Sequence, residues 1–444
     1  MSDIQFLPID FLNRMESELG SDFHAFLCSY EENKISALRL NPLKVDDEVK
    51  KEGVLDELVN MITGSVSWCP TGFYYDEECR PGLHPFHAAG VIYIQDSSAQ
   101  LPVELLDPKP KDFVLDLCAA PGGKSTQIAG KLKGEGLLIC NEPMKPRAKI
   151  LSENIERLGV TNAVVTSEYP DKLRDKFGTF FDKILVDAPC SGEGMFRKNH
   201  DACQEWSLEN VEMCAARQAE ILECAYEMLI PGGRICYSTC TFSRQEDELQ
   251  IESFLSKHND LRLIEEKRLW PHEVKGEGHY AALIEKVDIL GNGDEIRANR
   301  SEKRFDKINN KILNDYLIFE KETLNHAYTD RLVLVSDQLY QLPLACPNLD
   351  GIHVLRGGLC LGTLKKNRFE PAHALALAAD NKEVKRRINI DDIDLAVAYL
   401  KGEALRIEAE DGWSVICYKD FPLGWVKSVG GQLKNHYPKG LRLL

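Results

Sequence analysis

The sequence predicts an α/β protein whose core is a doubly wound parallel sheet, with a small α+β domain before it and a β-rich domain after it. From about residue 112 to residue 286, short apolar runs alternate with amphipathic segments long enough for helices. Strands that alternate with helices form β-α-β units, which build parallel sheets covered on both faces. The hydrophobic fraction of 43% is ordinary for a globular chain, and 444 residues leave room for about two to four domains.

The first hundred residues have the pattern of a small mixed domain, which we bound at residues 1–97. Residues 9–30 have helical periodicity. Residues 36–44 alternate like a strand until Pro42 interrupts them, and residues 46–61 return to a helical pattern.

The predicted core covers residues 98–287. Its strands are the apolar runs 113–117, 137–141, 163–166, 183–186 and 234–238. Its helices are the amphipathic segments 124–132, 145–158, 208–229 and 244–257. This alternation is typical of a Rossmann-like fold, in which ligands bind outside the carboxyl ends of the strands.

Two further regions complete the chain. Residues 288–340 begin with a polar, charge-rich stretch, which predicts a linker or a peripheral helix. Short strands and Gly/Pro turns return after Leu332, so residues 341–444 are predicted to form a compact, mostly β domain.

Charge and hydropathy exclude several classes of protein. The formal net charge of −16 opposes indiscriminate binding to nucleic acid, and DNA is not an expected partner. Residues 351–444 nevertheless hold 15 Lys and Arg against 11 Asp and Glu, a balance of +4 that leaves −20 for residues 1–350. The sequence has no apolar run of about 18 residues, so no membrane partner is expected. The first ten residues, MSDIQFLPID, lack the character of a signal peptide, and a cytoplasmic location is therefore expected.

Cysteine usage agrees with that compartment. The 14 cysteines are spread through the chain without a C-x-x-C pair. In a cytoplasmic chain this indicates reduced thiols, most of them small apolar core residues, and neither disulfides nor a metal site is expected. The sequence does not specify an oligomeric state.

A glycine loop follows the first core strand, at Asp116-Leu-Cys-Ala-Ala-Pro-Gly-Gly-Lys124. Paired glycines let the backbone bend tightly and approach a ligand, and the next helix offers free N–H donors to it. The loop lacks the G-x-G-x-x-G pattern of dinucleotide sites. It ends in GKS, but a P-loop needs a glycine where Cys118 stands, which disfavours a P-loop nucleotidase.

An acid ends the second core strand. Glu142 follows Gly122 by about twenty residues, the spacing at which doubly wound folds place an acid that accepts hydrogen bonds from ribose. A glycine loop without a phosphate cradle, combined with such an acid, fits an adenosyl cofactor that carries no phosphate. S-adenosylmethionine meets that description. The alternative is an ordinary β–α turn beside a solvated surface acid.

Two cysteines follow neighbouring predicted strands, Cys190 after the fourth and Cys240 after the fifth. Neighbouring strands lie about 4.8 Å apart, so both thiols are expected to face one crevice. Two thiols beside a methyl donor indicate methylation of cytosine, because addition of a thiolate to carbon 6 activates carbon 5. The second thiol would assist release, and Asp187 would hold the pyrimidine and offset its charge. Spacing leaves open which cysteine is the nucleophile, and core packing is the alternative for both.

Four ordered motifs resemble the Sun/NSUN family of RNA 5-methylcytosine methyltransferases: DLCAAPGGKS, NEPMKPR, VDAPCSGEGMFRK and YSTCTFSRQEDE. Residues 269–286 resemble that family's closing motif, and the match is dense from about residue 93 to residue 286. In the first hundred residues, only Arg39-Leu-Asn-Pro42 and Gln95-Asp96 stand out. The segments HVLRGGLCLGTLKKNRFEPAHALAL and GWVKSVGGQLKNHYPKGLRLL are similar to the bacterial RsmF type, which carries a PUA-like RNA-binding module.

The resemblance implies Cys240 as the nucleophile and Cys190 as the cysteine that promotes product release. It implies contacts to S-adenosylmethionine by the glycine loop and by three acids at strand ends, namely Cys118, Ala119, Ala120, Pro121, Gly122, Gly123, Lys124, Glu142, Glu168 and Asp187. Ribosomal RNA is the implied substrate, from the small subunit or within a 30S particle. A transfer RNA acceptor and a non-catalytic ribosome-assembly factor that binds RNA stay open as alternatives.

Cations and aromatic residues share the turns of the C-terminal segment. They are Lys365, Lys366, Arg368, Lys427, Lys434, Lys439 and Arg442, with Trp413, Trp425, His436 and Tyr437. Cations neutralise phosphates and aromatic faces stack on bases, so this pattern predicts an RNA-binding surface. The alternative is a solvated basic rim over an ordinary aromatic core.

Overall fold

A computed structural model of the chain describes residues 6–198, 200–298, 300, 308–328, 330–380 and 382–443. Half of the N-terminal segment assessed for a signal peptide, residues 1–5, lies outside the described residues, as do residues 299, 301–307 and 329 of the predicted linker. Within the described ranges, no helix combines the length and the apolar character needed to cross a bilayer.

The N-terminal part contains a four-stranded antiparallel sheet surrounded by helices, which confirms the α+β prediction. Its elements are α1 Ile9–Leu19, α2 Phe23–Ser29, β1 Ser36–Leu40, α3 Glu48–Glu57, β2 Ile62–Ser65, β3 Gly72–Tyr75, α4 Pro85–Ala88 and β4 Ile92–Ile94. The strands lie in the order β2-β3-β1-β4. The helix predicted over residues 9–30 is interrupted because Gly20 has a φ of 53°, in the left-handed region that favours glycine.

The five predicted core strands form the parallel centre of a larger sheet. The elements are α5 Leu101–Leu106, β5 Phe113–Asp116, α6 Gly123–Leu132, β6 Leu137–Asn141, α7 Lys145–Arg157, β7 Ala163–Thr166, α8 Pro170–Phe177, β8 Phe181–Asp187, α9 His200–Glu205, α10 Leu208–Met228, β9 Leu229–Thr239 and α11 Glu248–Lys257. The order β7-β6-β5-β8-β9 is parallel throughout. The order of strands reverses between β5 and β8, the switch point at which such sheets bind ligands. The doubly wound, Rossmann-like prediction is confirmed.

Three features of this core differ from the sequence prediction. The sequence pattern missed the short helices α5, α8 and α9, and α11 begins at Glu248 and not at residue 244. The sheet is also not purely parallel, because β10 Leu261–Leu269 and β11 His279–Lys286 form an antiparallel hairpin beside β9. Most of β11 is buried, and a buried apolar run does not reveal the direction in which a strand pairs.

The C-terminal part is rich in strands, as the sequence predicts. Its elements, with the segment before it, are α12 Gly293–Ala298, α13 Asn310–Thr323, β12 Leu332–Val335, β13 Gln338–Gln341, β14 Val354–Gly357, β15 Leu359–Lys365, β16 Arg368–Pro371, α14 His373–Ala378, β17 Arg387–Ile390, α15 Ile393–Leu400, β18 Gly412–Tyr418, β19 Phe421–Val429 and β20 Gln432–Asn435. Two four-stranded sheets form, β12-β13-β15-β16 and β17-β18-β19-β20. Strand β14 instead pairs antiparallel with β7 and adds an eighth strand to the core sheet.

The segment predicted as a linker or peripheral helix, residues 288–340, contains α12, α13, β12 and most of β13. Helix α13 packs Phe319 against Phe369 and Trp425 of the C-terminal part. The boundary predicted between residues 340 and 341 falls inside β13.

Apolar residues cover both faces of the core sheet. Along β5, Leu115 belongs to the cluster on one face and Val114 to the cluster on the other. Another cluster joins the two ends of the chain, where Phe86 contacts Tyr418 and Phe421. The N-terminal and C-terminal parts therefore pack against each other.

Candidate active site

The loops that follow β5, β8 and β9 meet at one edge of the sheet. In the parallel registers, Asp116 pairs with Leu185 and Asp187 pairs with Ser238. The carboxyl ends of these strands are therefore at the same edge, where ligands bind in doubly wound folds. The glycine loop and the two cysteine loops lie side by side.

The glycine loop, residues 116–124, turns sharply at Gly122. This residue has a φ of 112°, and an added Cβ would lie 3.2 Å from Cδ1 of Leu151. Both facts favour glycine. Gly122 also precedes α6 without a side-chain capping bond, so the first N–H groups of that helix are left for a ligand.

Neighbouring elements hold the backbone of this loop. The hydrogen bonds run from Ala119 N to Asn141 O at 2.8 Å, from Arg147 Nη2 to Ala120 O at 3.1 Å, and from Asn154 Nδ2 to Pro121 O at 2.9 Å. A loop that is ordered in advance reduces the entropy cost of binding a ligand.

Two buried acids lie at the ends of β5 and β6. Asp116 accepts a hydrogen bond from Ser125 Oγ at 2.6 Å, and its Oδ1 is buried without a hydrogen-bond partner among the described residues. Burial raises the pKa of Asp116 to about 7. Glu142 is also buried, with Arg147 Nη1 at 3.2 Å and the backbone N–H of Met144 donating at 2.9 Å.

These groups fit S-adenosylmethionine. The free N–H donors of α6 suit its carboxylate, and the unpartnered Oδ1 of Asp116 suits an ammonium group. The carboxylate of Glu142 is an acceptor for ribose hydroxyls. The loop residues 118–124 and Glu142 would therefore hold the cofactor, which supplies an activated methyl group.

Asp187, at the end of β8, is held as a carboxylate. Lys124 Nζ lies 2.7 Å from its Oδ2, and Ser238 Oγ donates to its Oδ1 at 2.8 Å. Burial alone would raise the pKa of Asp187, but Lys124 and His279 outweigh burial and hold the pKa well below its usual range. Asp187 therefore stays ionised at neutral pH, and its ion pair with Lys124 connects the β8 loop to the glycine loop.

The two predicted thiols face each other, with the Sγ atoms of Cys190 and Cys240 separated by 3.4 Å. Among the described residues no cysteine forms a disulfide, and these two are partly exposed where nine others are buried. The hydrogen bond to Cys240 and burial raise the pKa of the Cys190 thiol well above its usual range. Cys190 therefore keeps its proton. Burial also raises the pKa of Cys118, which makes that thiol a poor nucleophile.

Glu168 lies after β7, farther along the sheet. Its backbone contacts the end of β6, because Asn141 Nδ2 donates to Glu168 O at 2.9 Å. Its carboxylate, however, accepts from the backbone N–H of His353 at 2.6 Å and pairs with Lys172 at 2.9 Å. The carboxylate that was predicted to contact S-adenosylmethionine is therefore held beside the residue that precedes β14.

Arg39 is a site residue to which the sequence assigned no role. Its side chain is buried and donates from Nη2 to Gly123 O at 2.7 Å, and from Nε to Gln95 Oε1 at 2.6 Å. Burial lowers the pKa of Arg39 to about 10, so the guanidinium stays charged at neutral pH. The N-terminal part thus supports the start of α6. The sequence signals were Arg39-Leu-Asn-Pro42 and Gln95-Asp96, but neither indicated this contact.

In the C-terminal part, two of the predicted RNA-contacting aromatic residues are core residues. Trp425 is 2% exposed and Tyr437 is 6% exposed, so neither offers a face for stacking. Lys365 and Arg368 are exposed, but both pair with Glu370.

The remaining aromatic residues combine with cations. The rings of Trp413 and His436 lie 4.5 Å apart, and Lys427 Nζ lies 5.1 Å from the Trp413 ring. Lys427 of β19 also lies directly opposite Lys434 of the antiparallel strand β20. Like charges placed opposite each other destabilise a sheet, so this arrangement favours a polyanionic partner.

Among doubly wound enzymes, a glycine loop that fits an adenosyl group without phosphates places this protein with the S-adenosylmethionine-dependent methyltransferases. Four family models match successive parts of the chain. They are the N-terminal domain of 16S rRNA methyltransferase RsmF at residues 7–97, 16S rRNA methyltransferase RsmB/F at 103–285, the RsmF rRNA methyltransferase first C-terminal domain at 318–378, and the methyltransferase RsmF PUA domain at 386–443. The chain belongs to the ribosomal RNA small subunit methyltransferase F family.

Relatives match the chain along nearly its whole length. Ribosomal RNA small subunit methyltransferase F of Aeromonas salmonicida is 31% identical, over 99% of this chain and 98% of the relative. The protein of the same name from Shewanella oneidensis is 30% identical, over 97% and 96%. A solved methyltransferase homolog protein from Pyrococcus horikoshii is 28% identical with a TM-score of 0.54, over 60% of this chain and 92% of that one. NSun6 from that organism, solved with SFG, shares the fold at 21% identity and a TM-score of 0.56, over 64% and 99%.

Proposed function

We propose that the protein methylates carbon 5 of a cytidine in 16S ribosomal RNA, with Cys240 as the nucleophile and Cys190 as the residue that promotes product release. The observation that carries this proposal is the 3.4 Å separation of the two sulfur atoms, at the ends of neighbouring parallel strands. A thiol pair beside a methyl-donor site suits covalent activation of a pyrimidine. The names of the relatives, which specify the small ribosomal subunit, support this class of RNA.

In the proposed reaction, Cys240 loses its proton to solvent, and its thiolate forms a bond to carbon 6 of the cytosine as the π bond between carbons 5 and 6 breaks. Electron density moves to carbon 5, which becomes nucleophilic. S-adenosylmethionine supplies the methyl group to that carbon. A base then removes the carbon 5 proton, the electron pair re-forms the double bond to carbon 6, and the thiolate of Cys240 leaves.

Cys190 assists the last step. Its S–H group, 3.4 Å from the sulfur of Cys240, stabilises the departing thiolate by hydrogen bonding. Asp187 acts on the base itself. An ionised carboxylate accepts hydrogen bonds from the exocyclic amine or the protonated ring nitrogen, and so offsets the charge that develops during addition.

The flanking parts bind the RNA in this proposal. Residues 1–97 engage RNA, residues 98–287 carry the reaction, residues 288–340 form an intermediate region, and residues 341–444 act as a PUA-like RNA-binding module. The balance of +4 in residues 351–444, against −20 in the rest of the chain, supports docking through the C-terminal module. We place the reaction in the cytoplasm, on small-subunit RNA or a 30S particle.

Bisulfite sequencing of total RNA tests the proposal. In RNA from cells that lack the protein, bisulfite should convert one 16S cytidine to uridine. Reintroducing the wild-type gene should restore the protection of that cytidine. The Cys240→Ala gene should not restore protection. Protection by Cys240→Ala would contradict the role of Cys240, and protection confined to transfer RNA would contradict the substrate.

A further inference from the structure

Two consecutive acids, Glu246 and Asp247, lie in the turn between β9 and α11. Both side chains are fully buried. Burial raises the pKa of both carboxyl groups, since the charged form loses its hydration. Buried acids are costly unless they are hydrogen-bonded, so their partners indicate why they are there.

Glu246 holds the loop that carries Cys190. Its Oε2 accepts from Ser191 N at 3.0 Å, and its Oε1 accepts from Ser191 Oγ. Gln218 of α10 donates from Nε2 to Glu246 at 2.8 Å and to Pro189 O at 3.0 Å. The residues on both sides of Cys190 are therefore fixed by Glu246 and Gln218.

Asp247 holds the turn that carries Cys240. Its Oδ1 accepts from Thr239 Oγ1 at 2.6 Å, and its Oδ2 pairs with Arg268 Nη2 at 2.7 Å. The residue before Cys240 is therefore tied to a buried acid, which is itself neutralised by an arginine.

Two side-chain hydroxyl groups also connect the loops, in addition to the backbone hydrogen bond from Gly194 N to Cys240 O at 2.8 Å. The hydroxyl oxygens of Ser191 and Thr241 lie 2.8 Å apart. Because Ser191 gives its only hydroxyl proton to Glu246, Thr241 is the donor in this contact. The residue after Cys190 and the residue after Cys240 thus belong to one hydrogen-bonded chain that ends at Glu246.

We propose that Glu246 and Asp247 are positioning residues that set the separation of the two thiols, Glu246 from the Cys190 side and Asp247 from the Cys240 side. The importance of this separation for catalysis rests on the proposed function, but the separation itself can be measured without RNA. Both acids act through the backbone and side chains of residues adjacent to the cysteines. A displacement of about 1 Å in such a site can lower a rate by about 100-fold.

Disulfide formation serves as the measure of thiol separation. A diazenedicarboxamide oxidant takes one hydrogen from each thiol, is reduced to the hydrazine, and leaves a bond between the two sulfurs. Peptide mass spectrometry identifies the link between Cys190 and Cys240 among the other free thiols. Because the rate depends on the approach of the sulfurs, we expect Glu246→Ala and Asp247→Asn to slow it by about tenfold.

The same variants should lower methyl transfer by about 100-fold. Their affinity for S-adenosylmethionine, measured by calorimetry, should stay that of the wild type, which shows that the core is folded. Glu246→Gln keeps an acceptor oxygen for Ser191 and should recover part of the linking rate. Glu223→Gln, on α10 and paired with His258 at 2.8 Å, is the matched control and should change none of these quantities.

If Glu246→Ala fails to fold, Ser191→Ala gives the decisive result, because it removes the hydroxyl that connects Glu246 to Thr241 and leaves both acids in place. Linking at the wild-type rate in the folded variant would overturn the proposal, as would loss of methyl transfer without slower linking. Failure of the proposed function would give a different result. Methylation by Cys240→Ala would refute the role of Cys240 as the nucleophile, but it would not alter the linking rates of the Glu246, Asp247 and Ser191 variants.

Discussion

Cys190 Sγ lies 3.4 Å from Cys240 Sγ, and the two residues follow adjacent parallel strands. Cys190 keeps its proton, because the hydrogen bond to Cys240 and burial raise the pKa of its thiol. We expect Cys190→Ala to form the covalent bond to RNA but to release it about 100-fold more slowly, since a positioned proton donor contributes at least that factor. The adduct should be visible as a shifted band on a denaturing gel with radiolabelled RNA.

Cys240→Ala should give neither adduct nor methylated product. Cys214→Ala changes a buried cysteine of α10 and serves as the control, with wild-type turnover expected. Fast release by Cys190→Ala, or an adduct with Cys240→Ala, would show that the two roles are assigned incorrectly.

Gly122 provides a test of the cofactor loop. Gly122→Ala would place a Cβ 3.2 Å from Leu151 at a φ of 112°, and the left-handed backbone alone costs about 1–2 kcal/mol. The loop should shift, and affinity for S-adenosylmethionine should fall by about tenfold. Gly178→Ala is the control, because Gly178 also has a positive φ but open space around it. Equal affinities for the two variants would contradict a role for the Gly122 turn in binding.

The sequence predicted the strands of the core well because those strands are buried on both faces. The runs at 137–141 and 163–166 coincide with β6 and β7. Strand β14 could not be predicted as part of this sheet, because its partner β7 lies nearly two hundred residues away and local pattern carries no information on such pairing. The β10–β11 hairpin was not predicted, and the buried apolar run of β11 would not have revealed the direction in which it pairs.

Only those parts of the site that directly follow a strand could be predicted from the sequence. The sequence placed Cys190 and Cys240 in one crevice, and the structure brings their sulfur atoms together. The raised pKa of the Cys190 thiol depends on its hydrogen bond to Cys240 and on burial, and neither can be read from spacing. The contact of Arg39 with Gly123 depends on how the N-terminal part packs. The roles assigned to these residues stay predictions until the variants are measured.

Asp116 leads to a pH dependence of stability. Burial raises its pKa to about 7, whereas an unfolded aspartate titrates near about 3.9. The folded state therefore binds the proton more tightly, and the contribution of Asp116 to the free energy of unfolding falls as the pH rises from about 4 to about 7. Asp116→Asn removes this contribution. Over that window, the wild type should lose roughly 4 kcal/mol relative to the variant.

Denaturant unfolding of both proteins at the two ends of that window measures the difference. Asp10→Asn, on an exposed position of α1, serves as the control. If the difference in the free energy of unfolding between the wild type and Asp116→Asn does not change with pH, the pKa of Asp116 is not raised in the folded state.

Lys427 and Lys434 face each other across β19 and β20, beside Trp413. If this pair contacts phosphates, Lys427→Ala should weaken RNA binding and reduce the slope of log affinity against log salt by about 0.7–0.9, the value for one released counterion. Filter binding at several salt concentrations measures that slope. Lys257→Ala is the control, because Lys257 pairs with Glu223 at 3.4 Å and lies outside the two parts proposed to bind RNA, so its slope should equal that of the wild type. An unchanged slope for Lys427→Ala would show that RNA does not bind at the β19–β20 face, because a cation that contacts the RNA backbone releases a counterion on binding.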